Sequence, residues 1–542
     1  LSSNRARSAV AGKVYLVGAG PGDPGLITLR GAECLRRADV VLYDYLVNPP
    51  VLEHARRGAE LVCLGRHGHG RILSQREIND RMVAEARAGR CVVRLKGGDP
   101  VVFAHAAEEV TALSAAGIPF EIVPGITAAL AAGSYAGIPL TQREGASAVA
   151  LVTGQCSRHT PCAVDETRSV PATADDDLAA LDFAALARFP GTLVIYMGVT
   201  SAPRWTAELI AGGKPPGTPA AIIRRCSWPD QTIVTCTLAR VPEEIERRKL
   251  RPPVIVVVGD VAAQPDAVNW FTRRPLFGTR VMVTRPAHQA ASLRDPLEEL
   301  GAEVLVQPAI EIGPPEDWGP VDRAVAELER FDWVVFSSAN GVQYFLDRLL
   351  SCHSERSEES PSASREVIRR AQNDVRRLGH VKLAAVGPGT AEALAQYYLR
   401  ADVVPEEFRA ESLAAALAGE ARGRRFLLIR ASRGREVLAE ELRAAGADVT
   451  QAVAYTSLDA PPPSDEARQL LAAGRLDWVT VTSSAIARSL AKMFGDDLRK
   501  ARLVSISPVT SQTLRELGYE PAAEAAEYTM PGVVRAIQDC HE

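Results

Sequence analysis

Three glycine-bearing segments follow β-type runs in the first half of the chain. Residues 17–25 read VGAGPGDPG, residues 94–100 RLKGGDP and residues 123–128 VPGITA. Glycine directly after a strand lets backbone approach a ligand closely, and loop amides favour anionic or polar groups. Each loop alone is a common strand-to-helix turn. Three in order suggest a cleft at the carboxyl edge of a parallel sheet, where α/β proteins bind ligands. The first loop is not a dinucleotide fingerprint. Asp23 stands where GxGxxG needs its third glycine, and Asp44 is only the nearest acidic candidate for a ribose. Asp44 follows an apolar strand and could accept a proton; as plain structure it is a helix or turn cap.

The second half offers no nucleophile–base pair, metal cluster or phosphate loop. It offers hydroxyls near strand ends, among them Thr284, Ser337, Ser338, Thr390, Ser483, Ser505 and Thr510. Such hydroxyls are often only caps. Two facing sets could instead bind carboxylates in a cleft between lobes, with Arg285, Arg430 and Arg433 adding charge.

The elements that must position these groups alternate. Short β-type runs lie between Ala/Leu/Glu/Arg-rich stretches, with helices expected at 75–88 and 106–116. This means βαβ units and mainly parallel sheets. The 542 residues imply several domains. With 46 % apolar and 24 % charged residues the composition is globular, and the net charge of −4 advertises no nucleic acid. The longest apolar runs are far short of the roughly 20 residues a membrane span needs. Residues 1–13 lack the apolar core of a secretory signal. Nine cysteines without a CxxC pair fit a reducing cytosol, and only His67 and His69 sit close together, so no metal is expected. Residues 157–177 read as a surface loop.

The second half repeats internally. RVMVTRP at 280–286 matches RFLLIRA at 425–431, and Trp333 of DWVVFSSANGV matches Trp478 of DWVTVTSSAIA, both at an offset of 145. Thr390 then matches Thr510 at 120, so the first copy carries 25 extra residues. The excess coincides with the Ser/Glu/Arg-rich stretch 351–377, read as a mostly disordered surface insertion or, more plainly, as carrying a charged helix over about 365–377. Residues 261–278 read as a linker that Trp270 and Phe271 could anchor.

GAGPGDPGLITLRGAECL, ADVVLYDYLV, VVRLKGGDP, PFEIVPGITAALAAGSYAGIPLT and GTLVIYMG closely resemble uroporphyrinogen-III C-methyltransferase over residues 13–260. The resemblance implies a two-domain tetrapyrrole methylase fold with S-adenosylmethionine between the domains. Carried over by position, Pro21, Gly97, Gly98, Asp99, Val102, Thr127, Ala128 and Met197 bind the cofactor, Cys226 lies near the adenosine, and Asp44 is the proton acceptor. The implied product is precorrin-2, made by two successive methylations of uroporphyrinogen III. Two positions depart from the pattern. Arg66, a catalytic candidate, stands where the family usually has Lys; it keeps the charge and can bind a carboxylate but does not readily give up a proton. Residues 103–109 read FAHAAEE where the family usually reads FGRGGEE, so a stiffer, less basic loop is expected.

VTRP, FSSANGV, AVGPGTAEAL, IRASRGREVLAEELRAAGADV and AVAYTS, with the late order TSSA, SISPVT, EYTMPG, resemble uroporphyrinogen-III synthase over residues 279–542. The resemblance implies two similar α/β, flavodoxin-like lobes, 279–311 plus 457–542 and 312–456. Hydroxymethylbilane would be cyclised with inversion of its last ring. Tyr455 falls on the family's Tyr position, where it aids departure of the hydroxyl. Arg285, Ser338, Thr390, Ser483, Thr510 and Thr529 are the implied substrate contacts. In the second copy AVGPGT becomes SISPVT, which loses two glycines.

The expectation is a bifunctional, cytoplasmic α/β enzyme of sirohaem or cobalamin precursor synthesis. Its partners would be small tetrapyrroles, without nucleic acid or membrane, and self-association through the methyltransferase half is left open. The rivals are a methylase of another substrate, such as RNA, and a non-enzymatic ligand clamp in the second half.

Overall fold

Runs such as VYLVG and VIVVV form strands buried at every position, as interior strands of α/β sheets are. The computed structural model describes residues 12–65, 73–143, 145–154, 181–263, 268–351, 378–433 and 436–541. Arg66, His67, His69, the expected loop at 157–177 and residues 352–377 of the expected insertion lie outside the described residues. The chain divides into two compact units, Leu1–Gly278 and Thr279–Glu542.

In the first unit β1 (Val14–Gly18), β2 (Val40–Tyr43), β3 (Glu60–Cys63), β4 (Val92–Lys96) and β5 (Phe120–Val123) form a parallel sheet in the order β3-β2-β4-β1-β5. This order makes β2, β4, β1 and β5 consecutive neighbours. The Asp44 turn and the three glycine loops therefore leave the sheet side by side at one edge. Helix Gln75–Arg87 begins at a capping box of Ser74 and Glu77, and helix Ala106–Ala115 follows β4.

The second sheet joins β6 (Val149–Thr153), β7 (Thr192–Tyr196), β8 (Pro219–Arg224), β9 (Thr232–Thr237) and β10 (Val254–Val258) in the order β6-β7-β10-β8-β9. Here the expectation of mainly parallel pairing fails: only β6 and β7 are parallel, and β10 runs against both neighbours. The reason is local. A loop of residues 225–231 joins β8 to β9, a strand the sequence did not mark, and the resulting hairpin reverses the direction of the chain. Beyond β10, Phe271 is buried against the Tyr135 ring, centroids 4.6 Å apart, and Trp270 Nε1 donates to the Ser134 carbonyl at 3.0 Å.

The second unit contains two sheets. One has β11 (Arg280–Val283), β12 (Glu303–Val306), β18 (Trp478–Val481), β19 (Arg502–Ser505) and β20 (Ala523–Glu524) in the parallel order β12-β11-β18-β19-β20. The other has β13 (Ile310–Gly313), β14 (Trp333–Phe336), β15 (Lys382–Ala385), β16 (Arg425–Ala431) and β17 (Asp448–Asp459) in the order β13-β17-β16-β14-β15, with β13 antiparallel. The sequence repeat is visible as architecture. Its offset carries β16 onto β11 and β14 onto β18, and β12-β11-β18-β19 has the same arrangement as β17-β16-β14-β15. Trp333 and Trp478 open equivalent strands and are both buried. The chain passes between the sheets along β13 and β17. Among the described residues no helix is long and apolar enough to cross a membrane.

Candidate active sites

In the first unit one cavity of about 660 Å³ is lined by the edges of both sheets. Pro21, Asp44, Gly97, Gly98, Asp99, Val102, Thr127, Ala128, Met197 and Cys226 all line it. From the second sheet come the residues after β7 and β8 and those before β10, which the antiparallel pairing brings to one end.

The three glycine loops touch backbone to backbone. Gly20 and Gly98 exchange N–H···O bonds of 3.2 and 2.7 Å. A Cβ on Gly125 would lie 2.3 Å from the Gly98 carbonyl oxygen, so only glycine permits this approach. Asp99 ties two of the loops together: its carboxylate accepts from Val101 N at 2.9 Å and from Gly125 N at 3.0 Å. Tyr196, which the sequence did not single out, closes the floor. Its hydroxyl accepts from Ala129 N at 2.8 Å and shares a hydrogen bond of 2.6 Å with Thr127 Oγ1. Met197 follows with a left-handed φ of 52°, which turns the chain toward the cavity. Burial alone pushes the Cys226 thiol up to about 12, so it stays neutral and acts as apolar lining.

Asp44 belongs to a charged group the sequence reading did not assemble. Arg94 Nη2 donates to Asp44 Oδ1 at 2.7 Å, and Arg94 Nε donates to Glu109 Oε1 at 2.9 Å. Lys96 Nζ reaches both Glu109 oxygens at 2.8 Å. Arg94, Lys96 and Glu109 are all buried. Burial, and then the adjacent Arg94 guanidinium, hold the Lys96 ammonium below its ordinary value. The available signal was two cations inside a strand that is otherwise apolar. In the FAHAAEE segment the left-handed backbone falls on Phe103 and His105, with φ of 52° and 54°. Neither is a position where the family pattern has glycine, so the alanines cause no strain there. His105 lines the cavity and pairs with Glu108 at 3.0 Å.

In the second unit Ser338, Thr390, Ser483, Thr510 and Thr529 sit at helix N-termini, where backbone amides favour anions, whereas Thr284 and Ser337 donate to the Thr480 and Ile429 carbonyls and Ser505 bonds Ser511. Ser338, Ser483 and Thr529 accept from Gly341, Ile486 and Gly532 N–H groups at 3.0, 3.2 and 3.2 Å. Thr390 and Thr510 are buried in the first turns of the equivalent helices Pro388–Ala395 and Pro508–Glu516. The Tyr455 hydroxyl lies 2.9 Å from Ser338 Oγ and beside Asn340, and burial pushes it above its ordinary value. Across the lobes Gln289 Nε2 donates to Asn340, and Phe408 meets Tyr528 edge to face at 6.5 Å. Arg285 holds Gln289 Oε1 at 3.0 Å and so reaches this chain from the other lobe. Arg430 is paired with Glu436, and Arg433 with Asp459. Among the described residues no group of His, Cys, Asp or Glu could hold a metal.

Comparison with known proteins assigns both halves. Residues 13–242 match the family model of tetrapyrrole (corrin/porphyrin) methylases, and residues 291–535 that of uroporphyrinogen-III synthase. The porphyrin biosynthesis protein HemD of Ruminiclostridium josui is 31 % identical over 526 residues, covering 96 % of this chain and 95 % of that one. The siroheme synthase of Sodalis glossinidius is 45 % identical over 265 residues, 49 % of this chain and 52 % of its own length. A solved uroporphyrin-III C-methyl transferase from Thermus thermophilus, complexed with S-adenyl homocysteine, is 38 % identical and covers 46 % of this chain and 98 % of its own, with a TM-score of 0.38.

The two family models and the relative aligned over nearly the whole chain define a class: a bifunctional enzyme of tetrapyrrole biosynthesis. The chain belongs to the family of fusions in which a uroporphyrinogen-III C-methyltransferase precedes a uroporphyrinogen-III synthase. The rival reading, a methylase of another substrate such as RNA with a non-enzymatic, ligand-binding second half, is not favoured.

Proposed function

We propose that the second unit cyclises hydroxymethylbilane to uroporphyrinogen III and that the first methylates this product twice, giving precorrin-2. The chain would thereby supply sirohaem or cobalamin synthesis, in a cytoplasmic setting. The observation that carries the first part is topological. Four neighbouring strands and the end of a second sheet bring nine cofactor candidates and Asp44 to one cavity.

The lining fits S-adenosylmethionine. Gly97, Gly98 and Pro21 present backbone, Thr127 and Asp99 present fixed polar groups, and Ile223, Val102 and the neutral Cys226 present apolar surface. When bound, it supplies an electrophilic methyl group. The protein's own work is then alignment and proton handling. Asp44 accepts the proton released as a pyrrole carbon gains its methyl, and Arg94 fixes the carboxylate at the cavity wall. Arg66 contributes positive charge for substrate carboxylates.

In the second unit, Tyr455 donates a hydrogen bond to the departing hydroxyl of the open-chain substrate. Ser338, Thr390, Ser483, Thr510 and Thr529, each at a helix N-terminus, bind its carboxylates, and Arg285 adds a cation. Folding and shielding of the flexible chain then favour ring closure. The test is one assay on the whole chain, fed hydroxymethylbilane and labelled S-adenosylmethionine. Type III product carrying two labels is expected; spontaneous type I product alone, or label only on added RNA, would overturn the reading.

A further inference from the structure

The loop that carries Pro21 is held from outside the cavity, by groups on the second sheet's side of the first unit. Asp23 is the centre of the hold. Its Oδ1 accepts from Gly25 N at 2.8 Å and its Oδ2 from the Tyr135 hydroxyl at 2.8 Å. The Asp23 backbone N–H donates to Ser227 Oγ at 3.0 Å, and Trp228 Nε1 donates to the Pro21 carbonyl at 3.2 Å. Contact with the indole is close: a Cβ on Gly22 would lie 2.3 Å from it. Ser227 and Tyr135 are themselves registered by one buried side chain. Gln231 accepts from Ser227 N at 2.8 Å and donates to the Tyr135 carbonyl at 2.9 Å.

Behind Tyr135 stands the segment after β10. The Tyr135 ring lies 4.6 Å from Phe271 and 5.3 Å from Trp270, and the Arg274 guanidinium covers Phe271 at 4.1 Å. A line of contacts thus runs from Phe271 through Tyr135 and Asp23 to Pro21. Of these only Pro21 lines the cavity.

We propose that Tyr135, Asp23 and Trp228 are positioning residues for the methyl donor, and that residues 268–277 are part of this support rather than a passive spacer. The proposal rests on the reading that this cavity binds S-adenosylmethionine. The hairpin turn between β8 and β9 and the helix end at Tyr135 set where the Pro21 backbone stands. Through the Gly20–Gly98 bridge they also set the second glycine loop.

The experiment uses the full chain with Tyr135→Phe, which removes one hydroxyl, and Trp228→Phe, which removes one indole N–H. Three quantities are read: KM for S-adenosylmethionine, Kd for S-adenosylhomocysteine by calorimetry, and Tm without ligand. Losing one such hydrogen bond should raise KM and Kd about tenfold in each variant. KM for uroporphyrinogen III should stay unchanged, and kcat within about twofold of the parent, since the hold acts on donor binding and not on the methyl-transfer step. Phe271→Leu, which keeps an apolar side chain, should move the same two constants in the same direction. Unchanged KM and Kd with a lowered Tm would make the contacts merely structural and overturn the proposal. A parent chain that neither binds S-adenosylhomocysteine nor transfers methyl would overturn the underlying reading instead.

Discussion

Arg94 holds two carboxylates at once, Asp44 Oδ1 at 2.7 Å and Glu109 Oε1 at 2.9 Å. Lys96 shares Glu109, so two buried cations depend on it. Glu109→Gln removes one carboxylate and leaves a surplus buried cation. The expected cost is about 3–5 kcal/mol, far above a surface substitution. Urea unfolding of the full chain measures it; a first-unit midpoint equal to the parent's would contradict this account of the group.

The close approach of the glycine loops gives a second expectation. Gly125→Ala places a methyl 2.3 Å from the Gly98 oxygen, a clash that only movement of the backbone relieves. Binding of S-adenosylhomocysteine should weaken at least tenfold, because both loops line the same cavity. Calorimetry showing parent-like affinity would mean the loops do not need this contact.

Cysteine chemistry offers a third. With its thiol pushed up to about 12 by burial, Cys226 holds no appreciable thiolate at pH 8. Cys63 and Cys540 are exposed. Iodoacetamide at that pH, read by peptide mass spectrometry, should label Cys63 and Cys540 and leave Cys226 unlabelled. Rapid alkylation of Cys226 in the native chain would refute its place in the apolar lining.

Acid stability should depend on Glu121 of β5. Hydrogen bonds from Arg30 and then Lys13 hold its carboxyl at about 2, against an ordinary 4.5. A lowered carboxylate pKa means the folded state binds the proton less readily than the unfolded one. The stabilisation is therefore complete above pH 4.5 and is lost as pH falls toward 2. The stability gap between the parent and Glu121→Gln should close across that window. A gap that stays constant down to pH 2 would rule out the ion pairing as its source.

Much of this architecture was legible in the chain. VYLVG, VVRLK and VIVVV read as strands because burial on both faces demands near-continuous apolar side chains. Glycine after β1 and β4 read as room for a ligand; that the two loops also approach each other, Gly20 to Gly98, came only with the structure. The repeat of Trp333 at Trp478 announced two sheets of one arrangement. Other features were not legible, for physical reasons. Nothing local tells that β9, a TIVTCT run after a short turn, pairs as a hairpin with β8. Arg94 and Glu109 meet only because helix Ala106–Ala115 returns over β4. Asp23 looked like a mere departure from a glycine fingerprint, yet its partners Tyr135 and Ser227 lie 112 and 204 residues away. Contacts of that separation follow from packing and leave no mark in a short window of sequence.

The most direct test of a two-reaction chain is a coupled assay from hydroxymethylbilane with excess S-adenosylmethionine, run on the parent, Asp44→Asn and Tyr455→Phe. The parent should give dimethylated type III product. Asp44→Asn should give type III product methylated at least about a hundredfold more slowly, the scale of a lost general base. Tyr455→Phe should form the type III isomer more slowly, yet methylate supplied uroporphyrinogen III at the parent rate. Undiminished methylation by Asp44→Asn, or slowed methylation of supplied uroporphyrinogen III by Tyr455→Phe, would contradict the assignment of one reaction to each unit.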